Sequence, residues 1–182
     1  MAFTLILGPM KSGKSLELIA RVAPYKFADK KVLYVQPQLN VRDKDIKSRL
    51  GVGIKAQKIK SLNDITESFD VIGIDEIHMF DSLGYTTVSK WLKNGREVFA
   101  SGLDLNYQGK MIPIIKHLLE LKPEHIVSKT AVCDVCKNYC AIYTQILNGN
   151  KIIKAGLPDI IPEDGAYVYQ ARCRNCFINK EL

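Results

Sequence analysis

Along the chain, nearly continuous apolar runs alternate with stretches of helical pattern. Residues 2–7 contain Phe3-Thr4-Leu5-Ile6-Leu7 and read as a buried strand. The pattern Leu16-Glu17-Leu18-Ile19-Ala20 predicts a helix from 13 to about 22, ended by Pro24. A second strand is expected over 31–35, closed by Gln36-Pro37, and a third over 69–74. Between them lies a polar, lysine-rich stretch in which Gly51 and Gly53 mark a turn or hairpin. A helix over 82–94, a strand over 97–101, a helix over 112–121 and a strand over 125–127 complete the alternation. Strands that read as apolar throughout and alternate with helices imply an α/β fold, a parallel sheet covered on both faces. Near Ala131 the pattern changes to short β-like runs with two Cys-x-x-Cys pairs, separated by a Gly/Pro/Asp-rich segment. No internal repeat or low-complexity tract interrupts the order.

The connection between the first strand and the first helix carries chemistry. Gly8-Pro9-Met10-Lys11-Ser12-Gly13-Lys14-Ser15 is G-x-x-x-x-G-K-[ST], set between a strand and a helix start. In such a loop the backbone N–H groups converge on a phosphate chain, and the helix N-terminus adds partial positive charge. Lys14 is then the residue that reaches the β/γ-phosphates, and Ser15 the one whose hydroxyl holds Mg²⁺. The expected ligand is a nucleoside triphosphate, ATP with Mg²⁺.

The bulk numbers narrow the picture. At 182 residues the chain has material for one good core and a small satellite. No apolar stretch approaches a membrane span, and the first residues already form the strand before the phosphate loop. No signal peptide, no membrane association and a cytoplasmic location are therefore expected. Lys and Arg number 26 against 19 for Asp and Glu, a net charge of +7. An anionic small substrate accounts for that balance as well as nucleic acid does. The lysines are scattered and read as a solvated face, so no nucleic-acid partner is expected.

The third strand ends in Asp75-Glu76. An Asp at this place in a phosphate-loop protein reaches the Mg²⁺ shell, and the adjacent Glu is free to act as general base. If Glu76 activates water the chain is an ATPase; if it activates an alcohol it is a kinase. Asp75-Glu76-Ile77-His78 also spells D-E-x-H, a helicase pattern, but such motors use two sheet domains and this chain has length for one.

Cys133-x-x-Cys136 and Cys173-x-x-Cys176 are separated by 36 residues. Each pair can turn both sulfurs toward one ion, and two pairs complete a tetrahedral thiolate site, for which structural Zn²⁺ is the economical occupant. Cys140 is left as a packed or idle thiol. The segment tied between the pairs contains Gly149, Gly156, Pro158, Pro162 and Gly165, and has the length of a binding loop or lid.

Taken in order, Leu7-Gly8-Pro9-Met10 through Ser15, Gly73-Ile74-Asp75-Glu76, Gly102-Leu103-Asp104, Lys129-Thr130-Ala131-Val132-Cys133 and Tyr169-Gln170-Ala171-Arg172-Cys173-Arg174-Asn175-Cys176 resemble the zinc-containing thymidine kinases, the cellular and bacterial type. The resemblance covers nearly the whole chain. It implies a phosphate-loop NTPase-like parallel sheet over 1–130, plus a small zinc-ribbon domain over 131–182 that carries a substrate-covering lasso loop. It further implies ATP-dependent phosphorylation of the 5′-hydroxyl of thymidine or deoxyuridine, with Glu76 as the base that deprotonates it. The lasso maps onto 160–165, including Ile161 and Gly165, and Tyr169 precedes the third cysteine. Tyr107 takes the place of the aromatic that stacks on the base. Met10, Leu103, Ile112 and Thr144 fall where the family lines its base pocket. Arg42, beside the phosphate site, is a candidate for stabilising the transferred phosphoryl group. A homo-oligomer, commonly a tetramer, and feedback inhibition by dTTP are also implied. The chain departs from the family at His78, where Gln is usual and which is counted with the ATP/Mg-binding residues, at Asn40, where Asp is usual, at Lys11, and in the register of the lasso, where a one-residue gap or Asp164 replaces a glycine.

Overall fold

The computed structural model describes residues 2–178; the last four positions of the 131–182 segment lie outside the described residues. In chain order the strands are β1 (Phe3–Leu7), β2 (Val32–Pro37), β3 (Ile46–Lys47), β4 (Gly53–Ile54), β5 (Gln57–Ile59), β6 (Val71–Ile74), β7 (Glu97–Gly102), β8 (His125–Ser128), β9 (Ala131–Val132), β10 (Tyr139–Ala141), β11 (Tyr143–Asn148), β12 (Lys151–Ile152) and β13 (Val168–Arg172). The α-helices are α1 (Lys14–Val22), α2 (Gly84–Lys93) and α3 (Pro113–Glu120).

Six strands form one sheet in the order β5-β2-β6-β7-β1-β8, and every pairing in it is parallel. Alternating side chains serve its two faces. Ile6, Tyr34, Val71 and Phe99 pack under Leu18, Ile19 and Val22 of α1. Phe3, Leu5, Ile72, Ile74, Val98 and Ala100 pack against Val88 of α2 and Ile114, Ile115 and Leu118 of α3. Because the inner strands β1, β6 and β7 are buried on both faces, they carry no polar alternation, which is why they read as apolar runs.

Two local features differ from the sequence expectation. The α-helix ends at Val22 as expected, but the chain then tightens into a 3-10 helix over Ala23–Ala28, with the proline at its first turn, where a missing N–H costs nothing. The polar stretch supplies the β3–β4 hairpin around Gly51 and Gly53, but also the edge strand β5. Only Ile59 of β5 is buried, so three residues with one inward side chain gave no periodic signal.

The registers set up the site. Leu7 pairs with Gly102, and Ile74 with Ala100, so the C-terminal ends of β1, β7 and β6 lie side by side. Beyond Ser128 the chain forms the β9–β10 pair and the antiparallel sheet β12-β11-β13. These are tied back to the sheet edge by the Met10 N–H, which donates to Thr144 Oγ1 at 3.1 Å, and by an ion pair of Lys11 with Asp134 at 2.8 Å.

Candidate functional site

Gly8 begins the loop at φ +150°, and a Cβ there would lie 2.4 Å from the carbonyl oxygen of Lys129, so no side chain fits. Gly13 adopts φ +79° as the N-cap of α1 and offers no side-chain cap. The first amides of the helix are thus left for a ligand. Met10 through Ser15 line a cavity of about 400 Å³, while Gly8 and Pro9 form the turn behind it. Lys14 is buried and its Nζ donates to the Pro9 carbonyl at 2.8 Å. Burial lowers its pKa, opposed by the nearby carboxylates of Glu76, Asp75 and Asp104.

Asp75 and Glu76 follow β6 and face different partners. Asp75 accepts from Ser15 Oγ at 2.9 Å and, through its other oxygen, from Ser101 Oγ at the end of β7. Burial and the neighbouring Glu76 push its pKa up to about 6 against the pull of those two hydroxyls. Glu76 turns away because its backbone is left-handed, at φ +51°. Its Oε2 is buried and has no hydrogen-bond partner among the described residues. Burial raises its pKa, opposed by Lys14 and Arg42. A side chain held in a strained backbone conformation and left unpaired is an arrangement that function retains rather than stability.

Glu76 lines two cavities. One is the phosphate-loop cavity; the other, of about 20 Å³, lies between the sheet end and the segment carrying Ile161, Glu163 and Tyr169. Met10 and Arg42 are shared by both, and Leu103 and His78 belong to the second. A space of 20 Å³ admits roughly one water, so any larger guest requires that segment to move. His78 Nδ1 accepts the Leu103 N–H at 3.3 Å. Burial, with a contribution from Lys14, pushes its pKa down to about 3, so the ring is neutral. It lines the second cavity, within reach of the charge of Lys14 from the phosphate loop.

The remaining expected pocket residues divide. Met10, Leu103, Ile161 and Tyr169 line the second cavity. The Tyr169 hydroxyl donates to the Ile161 and Pro162 carbonyls at 3.0 and 3.1 Å and so braces the lasso. Tyr107 is buried and is not among the residues lining these two cavities; its hydroxyl donates to Leu157 O at 2.9 Å and accepts from Leu157 N at 3.1 Å, pinning the lasso's root. Ile112 is core beneath α3, Thr144 holds the phosphate loop through Met10, and Gly165 is an exposed turn at φ +93°. Lys11, also left-handed at φ +65°, is tied to Asp134 of the first cysteine knuckle. Arg42 Nη1 pairs with Glu163 at 2.7 Å. Ser101, Ser48, Arg49 and Glu163 enter the site without having been singled out in the sequence. Ser101 alone had a signal, a hydroxyl closing an otherwise apolar strand.

Sγ atoms of Cys133, Cys136, Cys173 and Cys176 lie within 4.8 Å of one another, a cluster that could hold a metal ion. The Cys136 and Cys173 sulfurs are 3.8 Å apart, close to the edge of a tetrahedron with ~2.3 Å metal–sulfur bonds. Burial pushes the Cys133 thiol up, but the N–H groups of Cys136, Cys173 and Val135 outweigh it and bring the thiol down to about 6. A hydrogen bond to the Cys173 sulfur, together with burial and the other two sulfurs, holds Cys176 up at about 12. A cation among these sulfurs would displace that proton. Cys140 is exposed and outside this group.

A parallel sheet with a phosphate loop after β1 and an acidic pair after β6 defines the class of phosphate-loop α/β proteins. A family model described as "Thymidine kinase" matches residues 1–177. Two proteins named thymidine kinase, from Chloroflexus aurantiacus strains J-10-fl and Y-400-fl, are each 33% identical over 180 residues, covering 94% of this chain and 92% of the relative. The chain belongs to the thymidine kinase family. That membership does not favour the nucleic-acid ATPase that the D-E-x-H spelling left open.

Proposed function

We propose that this chain transfers the γ-phosphate of ATP to the 5′-hydroxyl of thymidine or deoxyuridine. The observation that carries the reading is the position of Glu76 in the wall common to the two cavities. A nucleoside entering the second cavity presents its hydroxyl to this carboxylate, and ATP seated on residues 8–15 presents its terminal phosphate from the other side. Glu76 accepts the proton as the oxygen attacks, and Lys14 and Arg42 offset the charge on the transferred group. Ser15 and Asp75 are the residues to hold Mg²⁺, which would neutralise phosphate oxygens. In-line transfer leaves the protein mostly positioning to do, and a fixed two-sided wall supplies it.

The lasso, with Ile161 and Tyr169, would cover the base and read it by backbone groups. Zn²⁺ in the four-cysteine cluster would fix both ends of that loop, a structural role with no open coordination position. Residues 1–130 would then be the ATP-binding part and 131–182 the part that closes over the nucleoside. The family resemblance also supports a homo-oligomer, feedback inhibition by dTTP and a cytoplasmic location. Among the described residues no helix is long and apolar enough to cross a membrane.

A panel of nucleosides assayed with ATP and Mg²⁺ tests the reading. Thymidine and deoxyuridine are expected to stimulate ATP turnover, and deoxyadenosine and deoxyguanosine to be poor acceptors. A higher kcat/KM for a purine deoxynucleoside overturns the base assignment; turnover that no nucleoside stimulates overturns the kinase.

A further inference from the structure

The β3–β4 hairpin holds a hydroxyl that nothing among the described residues satisfies. Ser48 is 6% exposed and its Oγ has no hydrogen-bond partner. It lines both the phosphate-loop cavity and an adjoining space of about 430 Å³. Buried hydroxyls are almost always paired, so an unpartnered one in a residue of the cavity wall points to a ligand that a small shift of the hairpin would bring to it. Its neighbours Lys47 and Arg49 line the same two spaces, as does Arg42. The phosphate loop thus has an opposite wall of three cations and one free hydroxyl.

Two carboxylates already pair with that wall; one is Asp43, which accepts from Arg42 Nε at 2.5 Å. Glu163, from the lasso, accepts from Arg42 Nη1 at 2.7 Å through Oε2 and from Arg49 Nη2 at 2.9 Å through Oε1. A carboxylate bridging two guanidinium groups presents the charge and the paired oxygens that a phosphate would present to them.

We propose that the β3–β4 hairpin is a second phosphate-binding element, and that Glu163 competes with the ligand's terminal phosphate for Arg42 and Arg49. Ser48 Oγ donates to that phosphate, and Lys47 and Arg49 pair with its charge. The proposal rests on reading residues 8–15 as an ATP site. Glu163 also walls the second cavity, so a triphosphate that takes over the two arginines releases the lasso from them. Occupancy of the phosphate site and the position of the lasso are then linked. A diphosphate, lacking the terminal group, leaves the Glu163 contacts in place.

The test is direct binding of Mg-ATP and Mg-ADP to the full chain by calorimetry at low salt. Ser48→Ala is expected to weaken ATP binding roughly fivefold and Arg49→Ala at least about tenfold, with ADP binding altered less than about twofold in both. Arg49→Lys should recover part of the loss. Glu163→Gln is expected to tighten ATP binding several-fold, and the gain should shrink in the Arg49→Ala background. ATP binding unchanged by Ser48→Ala and Arg49→Ala, with Lys14→Ala abolishing it, overturns the hairpin's role and leaves the ATP site standing. Equal losses for ATP and ADP overturn it too, because the hairpin would then act only on the fold. If the unaltered chain binds neither nucleotide, the ATP reading itself falls.

Discussion

Replacing Glu76 with Gln should move activity and stability in opposite directions. The substitution keeps the size of the side chain and removes its basicity. Asp75 cannot substitute, because both of its oxygens are engaged by Ser15 and Ser101. A positioned base contributes roughly 10²–10⁴ in rate, or about 3–5 kcal/mol of barrier. We therefore expect kcat for thymidine phosphorylation to fall by that factor, with the Kd for ATP within about threefold of wild type. Stability should rise. Glu76 Oε2 is buried without a partner, and burial raises the carboxyl's pKa. Above the ordinary carboxylate range the fold therefore carries the cost of burying a carboxyl whose charge it does not fully pair. An amide carries no such charge, so that cost is removed. A gain of about 1–3 kcal/mol is expected. A native pKa above the unfolded value lowers stability as pH rises through it, so the advantage of the variant should shrink toward pH 4, where Glu76 is protonated in both states. Steady-state kinetics, nucleotide calorimetry and urea unfolding at pH 8 and pH 4 measure the three quantities. A Glu76→Gln protein with wild-type kcat would refute the assignment of the base.

Gly8→Ala should destabilise the chain by roughly 2–4 kcal/mol, since its Cβ would meet the Lys129 carbonyl at 2.4 Å; a chemical denaturation midpoint within error of wild type would contradict the packing described. His78→Gln should flatten the acid limb of stability. Burial holds His78 near pKa 3, against an ordinary histidine value of 6.5, so this residue's contribution is complete above pH 6.5 and is lost as pH falls. By pH 5 it should have cost about 2 kcal/mol, and a wild-type and variant pair with equal losses between pH 7 and pH 5 would count against a buried neutral ring. Metal analysis should find one zinc per chain. Cys173→Ser, or chelation, should raise the KM for thymidine by about tenfold or more before it lowers the thermal midpoint of the sheet; unaltered nucleoside affinity would separate the cysteine cluster from the lasso.

The parts that were legible in the sequence are those whose causes are local. The strand, glycine loop and helix at 3–22 declare themselves because a phosphate loop needs Gly at a position that admits no Cβ and a strand covered on both sides. The acidic pair and the cysteine knuckles are likewise fixed by spacing. What escaped depends on chain segments far apart in sequence. Arg49 and Glu163 are ordinary charges until the fold brings them within 2.9 Å, and Ser48 is an ordinary hairpin serine until a cavity wall buries it. That the Tyr107 hydroxyl is held by both backbone groups of Leu157 depends on a residue 50 positions away. Strand β5 is set by pairing with β2 rather than by its own three residues. Even Lys11, an unusual residue for its place, is explained only by Asp134, 123 positions away.

The central claim is that Glu76 stands between a phosphate donor and a nucleoside hydroxyl. It is tested most directly by following the γ-phosphate of labelled ATP to its acceptor, with thymidine and with 5′-deoxythymidine, which lacks the attacking oxygen. The account predicts label on the 5′-oxygen of thymidine, none on 5′-deoxythymidine, and slow release of free phosphate in both reactions. Label recovered as free phosphate at the same rate whether thymidine, 5′-deoxythymidine or neither is present would contradict it.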